Sequence, residues 1–213
     1  MSVDVHAAPH LGTSALLVVD MQRDFLDGGA SPIAGTSHVL PAVADLTGAY
    51  REAGLPIVHV VRLYDGDDVD LPRRSLIASG AAIVRPYSPG SQIPPELLLA
   101  GVPELGPELL LAGGLQELAR DEWAMWKPRW GAFHRTPLDA HLRRLGVDTV
   151  VIAGCNFPNC PRATIYGASE RDYRTLIVED AVSGVLPLHL EEAERIGAVH
   201  LGVAELKDRI ARA

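Results

Sequence analysis

The sequence predicts a three-layer α/β fold, a mainly parallel sheet with helices on both faces. Three observations lead there. Short, continuously apolar runs recur along the chain, as strands buried on both faces require. Stretches with helical spacing of apolar residues alternate with them, the order expected of strand-helix-strand units. Several of the runs end on a polar or charged residue, which suits the carboxyl edge of an open sheet, where sites form.

Ala15 to Asp20 is the first such run, ending on an acid. Ser37 to Ala53 places Val39, Leu40, Val43, Leu46 and Tyr50 at helical spacing, and Gly54 with Pro56 stops it. Pro56 to Arg62 is a second strand ending on a charge. Beyond it, Val69 to Ser79 reads as a short helix and Ile83-Val84 as a short strand. Ser88 to Gly114 is rich in Pro and Gly and holds the heptapeptide Pro-Glu-Leu-Leu-Leu-Ala-Gly twice, at Pro95 to Gly101 and Pro107 to Gly113. Two copies do not build a solenoid, which needs about three. The stretch at about 88–114 reads as an insertion, a lid or an oligomer contact.

Glu122 to Lys127 is the next strand. Thr136, Pro137 and Asp139 then open a helix with a cap, a first-turn proline and an acid at its positive end, and Leu138, Leu142 and Leu145 bury one side before Gly146. Asp148 to Ala153 is a strand, Pro161 to Tyr173 a helix and Thr175 to Asp180 a strand. Glu191 to Ile196 and Leu206 to Arg212 read as helices joined by a short apolar link. Nothing marks a linker, so residues 1–213 are expected to form one domain.

Composition narrows the function classes. The chain has 213 residues, 47% hydrophobic and 22% charged, with a net charge of −8 and no basic run. A phosphate backbone finds no complementary surface, so nucleic acid is not expected as a partner. The first residues lack a basic segment ahead of an apolar core, and no stretch reaches the roughly 18 to 20 apolar residues of a membrane helix. A cytoplasmic protein without a membrane partner is the expectation. Its two cysteines, Cys155 and Cys160, argue against disulfide stapling.

Asp20, Lys127 and Cys160 each follow a predicted strand, so a parallel sheet brings them to one edge. An acid, an amine and a thiol make a workable nucleophilic set. Cys160 stands just before a helix beginning at Pro161, where unpaired N–H groups and a nearby ammonium favour the thiolate. The aspartate can take the thiol proton and return it to a departing amine. The turn from Gly154 to Cys160 can offer N–H groups to an oxyanion. Plainer roles stand beside these: a buried Cys packs, Asp20 ends a strand, Lys127 is solvated. Cys155 is read as structural, with a redox partnership to Cys160 as the lesser alternative, and Asp24 as a turn cap rather than a holder of Lys127. Arg62 faces either a substrate carboxylate or carbonyl, or the acidic loop. Trp126, Trp130, Phe133 and Phe157 are core residues or pocket walls. The acidic run Asp65 to Asp70 lacks the glycine and closing Glu of a calcium loop and reads as a solvated turn. There is no Gly-x-Ser-x-Gly elbow, no Gly-x-Gly-x-x-Gly and no phosphate loop.

Taken in order, these residues resemble the isochorismatase-like cysteine hydrolases, whose fold is Rossmann-type. That family shows Asp-x-Gln-x-Asp-Phe after its first strand, here Asp20, Gln22, Asp24 and Phe25; a Lys-x-Arg-aromatic-x-Ala-Phe segment, here Lys127 to Phe133; Thr-x-Leu, here Thr136 to Leu138; Gly, five residues and Cys, here Gly154 to Cys160; and Val-x-x-Asp-Ala, matched loosely by Val178 to Ala181. The resemblance implies Asp20 as general base, Lys127 as its assistant and Cys160 as nucleophile forming a thioester. It implies an oxyanion hole from the N–H groups of Asn156 and Cys160, with a cis peptide between Cys155 and Asn156. It also implies hydrolysis of small amides, no cofactor, and a homo-oligomer, dimer or tetramer. The branch that cleaves the vinyl ether of isochorismate lacks the nucleophile, so Cys160 places this chain with the amidases. Substrate contacts would come from Arg62, Trp130, Phe133 and Phe157. Two departures stand out. Phe157, Pro158 and Asn159 before Cys160, with Pro161 and Arg162 after it, make an unusual loop. The metal-binding Asp-x-His segment of nicotinamidases has no counterpart between Arg62 and Asp70, so no metal is expected. The substrate class stays open between an amide, a lactam, a ureido group and an ester, with a non-catalytic binding module as the alternative of another class.

Overall fold

The computed structural model describes residues 4–212. Among them, seven strands form one sheet in the order β3-β4-β2-β1-β5-β6-β7: β1 Ser14–Val19, β2 Ile57–Val61, β3 Leu115–Ala119, β4 Glu122–Trp126, β5 Thr149–Gly154, β6 Arg174–Val182 and β7 Val199–Leu201. All neighbours are parallel except β3 with β4. β1, β2 and β5 are buried along their whole length, which is why they read as continuous apolar runs rather than alternating ones.

Side chains of β1 leave the sheet alternately, so Leu16 and Val18 enter one core while Ala15, Leu17 and Val19 enter the other. The first core is closed by α1 (Thr36–Glu52) through Val39, Val43, Leu46 and Tyr50, and by a C-terminal helix, Val203–Ile210, through Leu206 and Ile210. The second is closed by helices Leu138–Arg144, Cys160–Ser169 and Pro187–Glu194. With two shorter helices, Leu71–Ala78 and Pro107–Leu111, these are α1 to α7 in chain order. The three layers are those predicted.

Differences cluster between β2 and β4. Ile83-Val84 is not a strand: Val84 has φ 40° and donates its N–H to the Asp24 carboxylate at 2.6 Å. A side-chain acceptor has replaced a ladder partner. β3 lies where no strand was expected, in antiparallel pairing with β4 across the Arg120-Asp121 turn. The repeated heptapeptide folds two ways. Its first copy makes a single 3-10 turn, Pro95–Leu97, and buries Leu97; its second makes α3 and buries Leu110. Identical local propensity yields to different surroundings. β7 replaces the apolar link between the last two helices.

Candidate active site

The sheet order sets the site. Asp20 follows β1, Arg62 follows β2, Lys127 follows β4, and the loop after β5 leads to Cys160 at the start of α5. These are adjacent parallel strands, so their carboxyl ends share one edge. The ends are pinned: Asp20 N–H donates to the Val60 carbonyl (2.8 Å) and Lys127 N–H to the Val61 carbonyl (3.1 Å). Gln22 locks Arg62 from both sides, its Oε1 accepting the Arg62 N–H at 2.7 Å and its Nε2 donating to the Arg62 carbonyl at 2.8 Å. Gly154, at φ 115°, brings β5 so close to β1 that a Cβ there would overlap the Val19 carbonyl oxygen. Cys155 N–H donates to that same oxygen.

Lys127 is fully buried and its Nζ lies 3.0 Å from Asp20 Oδ2. To reach it, the side chain spans β2. Asp20 Oδ1 is buried and has no hydrogen-bond partner among the described residues. Cys160 is 4% exposed, and Arg62 Nη2 approaches its sulfur at 3.6 Å. The structure therefore brings together the four charged or reactive residues singled out from sequence. It also corrects one expectation. Burial, and next the negative charge of Asp20, push the Cys160 thiol above its ordinary range, against the pull of Lys127 and Arg62. The resting group is the thiol, and helix start and ammonium do not suffice to ionise it. Arg62 loses to burial but gains more from Cys160, Asp20, Tyr64 and Asp70, and stays protonated.

The N–H groups of Asn156 and Cys160 have no acceptor among the described residues, whereas the Phe157 N–H is spent on the Ser183 carbonyl. No cis peptide occurs among the described residues, so the bond between Cys155 and Asn156, expected to be cis, is trans. Cys155 is buried and reduced, and its sulfur donates to the Asp20 carbonyl at 3.2 Å, a structural role. Asp24 binds the Val84 and Ala30 N–H groups, also structural.

The aromatic candidates separate. Trp130 lies over the Arg62 guanidinium, 5.1 Å from ring centroid to carbon, and lines a cleft of about 320 Å³ with Pro158, Asn159, Arg162, Ala163 and Tyr166. Phe133 instead packs on Tyr173 and beneath Arg171, because its position after the Gly131 turn points it into the core under α5. Phe157 stacks on His189 of α6 at 4.9 Å. Sequence reasoning missed Asp70. It is 2% exposed, not a solvated turn residue, and meets Arg62 Nη2 at 2.7 Å; within a run of acids nothing distinguishes the one that turns inward. Among the described residues no cluster of His, Cys, Asp and Glu could hold a metal ion, and no helix is long and apolar enough to cross a membrane.

A family model described as the Isochorismatase domain matches residues 14–196. The chain belongs to the isochorismatase family. It is similar to a protein of Arabidopsis thaliana named "probable inactive nicotinamidase", 32% identical over 194 residues that cover 89% of this chain and 90% of that one. It is also similar to the ureidoacrylate amidohydrolase of Methylobacterium radiotolerans, 29% identical across 85% of this chain and 71% of that one. Among solved structures, an isochorismatase family protein of Desulfovibrio vulgaris superposes with a TM-score of 0.78 at 31% identity, covering 94% of this chain and 99% of that one. In this isochorismatase-family chain Asp20 and Lys127 are paired at the sheet edge, and Arg62 links that edge to Cys160.

Proposed function

We propose that the chain hydrolyses a C–N amide bond of a small molecule through an acyl-thioester on Cys160. The observation that carries this reading is the Asp20–Lys127 pair at 3.0 Å, which leaves the second Asp20 oxygen without a donor beside a buried, protonated thiol. Lys127 holds one Asp20 oxygen, and the free oxygen is the acceptor for the thiol proton. Sulfur then attacks the carbonyl carbon, and the oxyanion is held by the Asn156 and Cys160 N–H groups. Collapse breaks the C–N bond, and Asp20 returns its proton to the departing amine or ammonia. Water, giving a proton to Asp20, then adds to the thioester, and the acid leaves as the thiol is restored.

The amidohydrolase named among the relatives supports the C–N bond, and its ureidoacrylate name favours a ureido group over a lactam or an ester. A non-catalytic binding module is the rival, favoured by the relative called inactive; the complete acid, amine and thiol stand against it. The test is ammonia release from a panel of small amides and ureides, with Cys160→Ala as control. Turnover of any member that vanishes in the variant, with an acyl adduct on Cys160 by mass spectrometry, is expected. Turnover that persists in Cys160→Ala sinks the proposal.

A further inference from the structure

The steps above give Arg62 no task, although it is 1% exposed, protonated and 3.6 Å from the nucleophile. Its partner is Asp70, at 2.7 Å, but the contact is poorly aligned: both Asp70 oxygens are buried without a hydrogen bond among the described residues. A buried carboxylate without donors is costly, and a guanidinium reads a carboxylate best through two parallel N–H bonds. Val69, just before Asp70, is packed in the core, but the chain after Asp70 is weakly anchored. Asp70 stands just before α2, which has no buried residue and leaves Leu71 75% exposed. The segment before it is clipped by Asp68 to Arg129 at 2.8 Å and to Arg135. Asp20, Lys127, Arg62 and Asp70 sum to zero charge, so a third carboxylate enters this buried cluster favourably only if Asp70 withdraws.

We propose that Arg62 anchors an anion subsite beside Cys160, which Asp70 fills in the ligand-free protein and a carboxylate on the substrate takes over. The substrate class is then a compact amide or ureide bearing a carboxylate a few atoms from the scissile carbonyl. Asp70 and the helix after it, residues 70–78, are the part that moves when the two carboxylates exchange. Trp130, over the guanidinium, and the cleft it shares with Asn159 mark the adjoining approach. This inference rests on Cys160 being the nucleophile.

Alkylation of the intact protein separates the two. Iodoacetate and iodoacetamide both form a C–S bond on Cys160 and release iodide, and they differ in the carboxylate. Removing the Asp70 charge should raise the iodoacetate-to-iodoacetamide rate ratio at Cys160 by about tenfold or more in Asp70→Asn, and Arg62→Gln should lower it below wild type. Asp70→Ala guards against a folding defect in the first variant and is expected to agree with it. Malonamate should protect Cys160 from iodoacetamide better in Asp70→Asn than in wild type, while malonamide protects both alike. Labelling of Cys160 with an unchanged ratio in both Asp70 variants overturns the subsite alone. Cys160 inert to both reagents in every variant overturns the nucleophile reading and the subsite with it.

Discussion

Replacing Lys127 with Met removes a charge while keeping much of the side chain's length and volume. At 3.0 Å from Asp20 Oδ2, the ammonium contributes about 5 kcal/mol of attraction at an effective dielectric of roughly 20. Burial of both ions offsets much of that in the intact pair, but removing one partner strands the other. Asp20 would keep only Arg62, whose Nε is 3.9 Å away. The expected loss in Lys127→Met is about 3 to 5 kcal/mol, or roughly 6 to 20 °C in Tm for a chain of this size. Asp20→Asn should destabilise in the same way by stranding Lys127. The double variant, with neither charge, should recover most of the loss, giving a coupling of at least about 2 kcal/mol. Urea unfolding of the four proteins at one pH measures it. If the two single effects simply add, within about 0.5 kcal/mol, the pair is not the electrostatic unit on which the base function rests.

Other perturbations follow from the same geometry. Since the negative charge of Asp20 raises the Cys160 thiol, Asp20→Asn should move the inflection of its iodoacetamide pH-rate profile downward even as turnover is lost; an upward move would contradict the placement. Glu122, held down to about 2 by His59 and Arg51 although its burial pulls the other way, contributes stability that is complete above about pH 4.5 and lost as pH falls towards 2. Acid titration of Tm should therefore be flatter in Glu122→Gln, and an identical acid limb would refute this. Gly154→Ala, forced against the Val19 carbonyl at a φ of 115°, should cost more than about 4 kcal/mol; a Tm within a few degrees of wild type would mean that the two strand ends can separate.

What could be read from the sequence follows burial. β1, β2, β5 and β6 are central, and their apolar runs exist because both faces are covered. β3 is an edge strand, half-buried, whose Leu-Gln-Glu-Leu-Ala carries little β preference; its pairing comes from the turn and from β4. Asp20, Lys127 and Cys160 were legible because each ends a readable strand or begins a readable helix. Asp70 was not, since its inward turn depends on Arg62, which lies in another element. Phe133 shows the converse: it sits in the matched Lys127 segment, but after Gly131, packed against Ala163 of α5, its ring meets Tyr173, a contact no motif announces.

Asp20 also holds a left-handed backbone, φ 53°, at the point where β1 gives up its ladder. Aspartate and asparagine tolerate that conformation better than other residues with a Cβ. An inactive protein made for trapping a bound ligand should therefore carry Asn at position 20. Ala or Glu there would add backbone strain to the chemical change, and a lost activity would no longer report on the missing base alone.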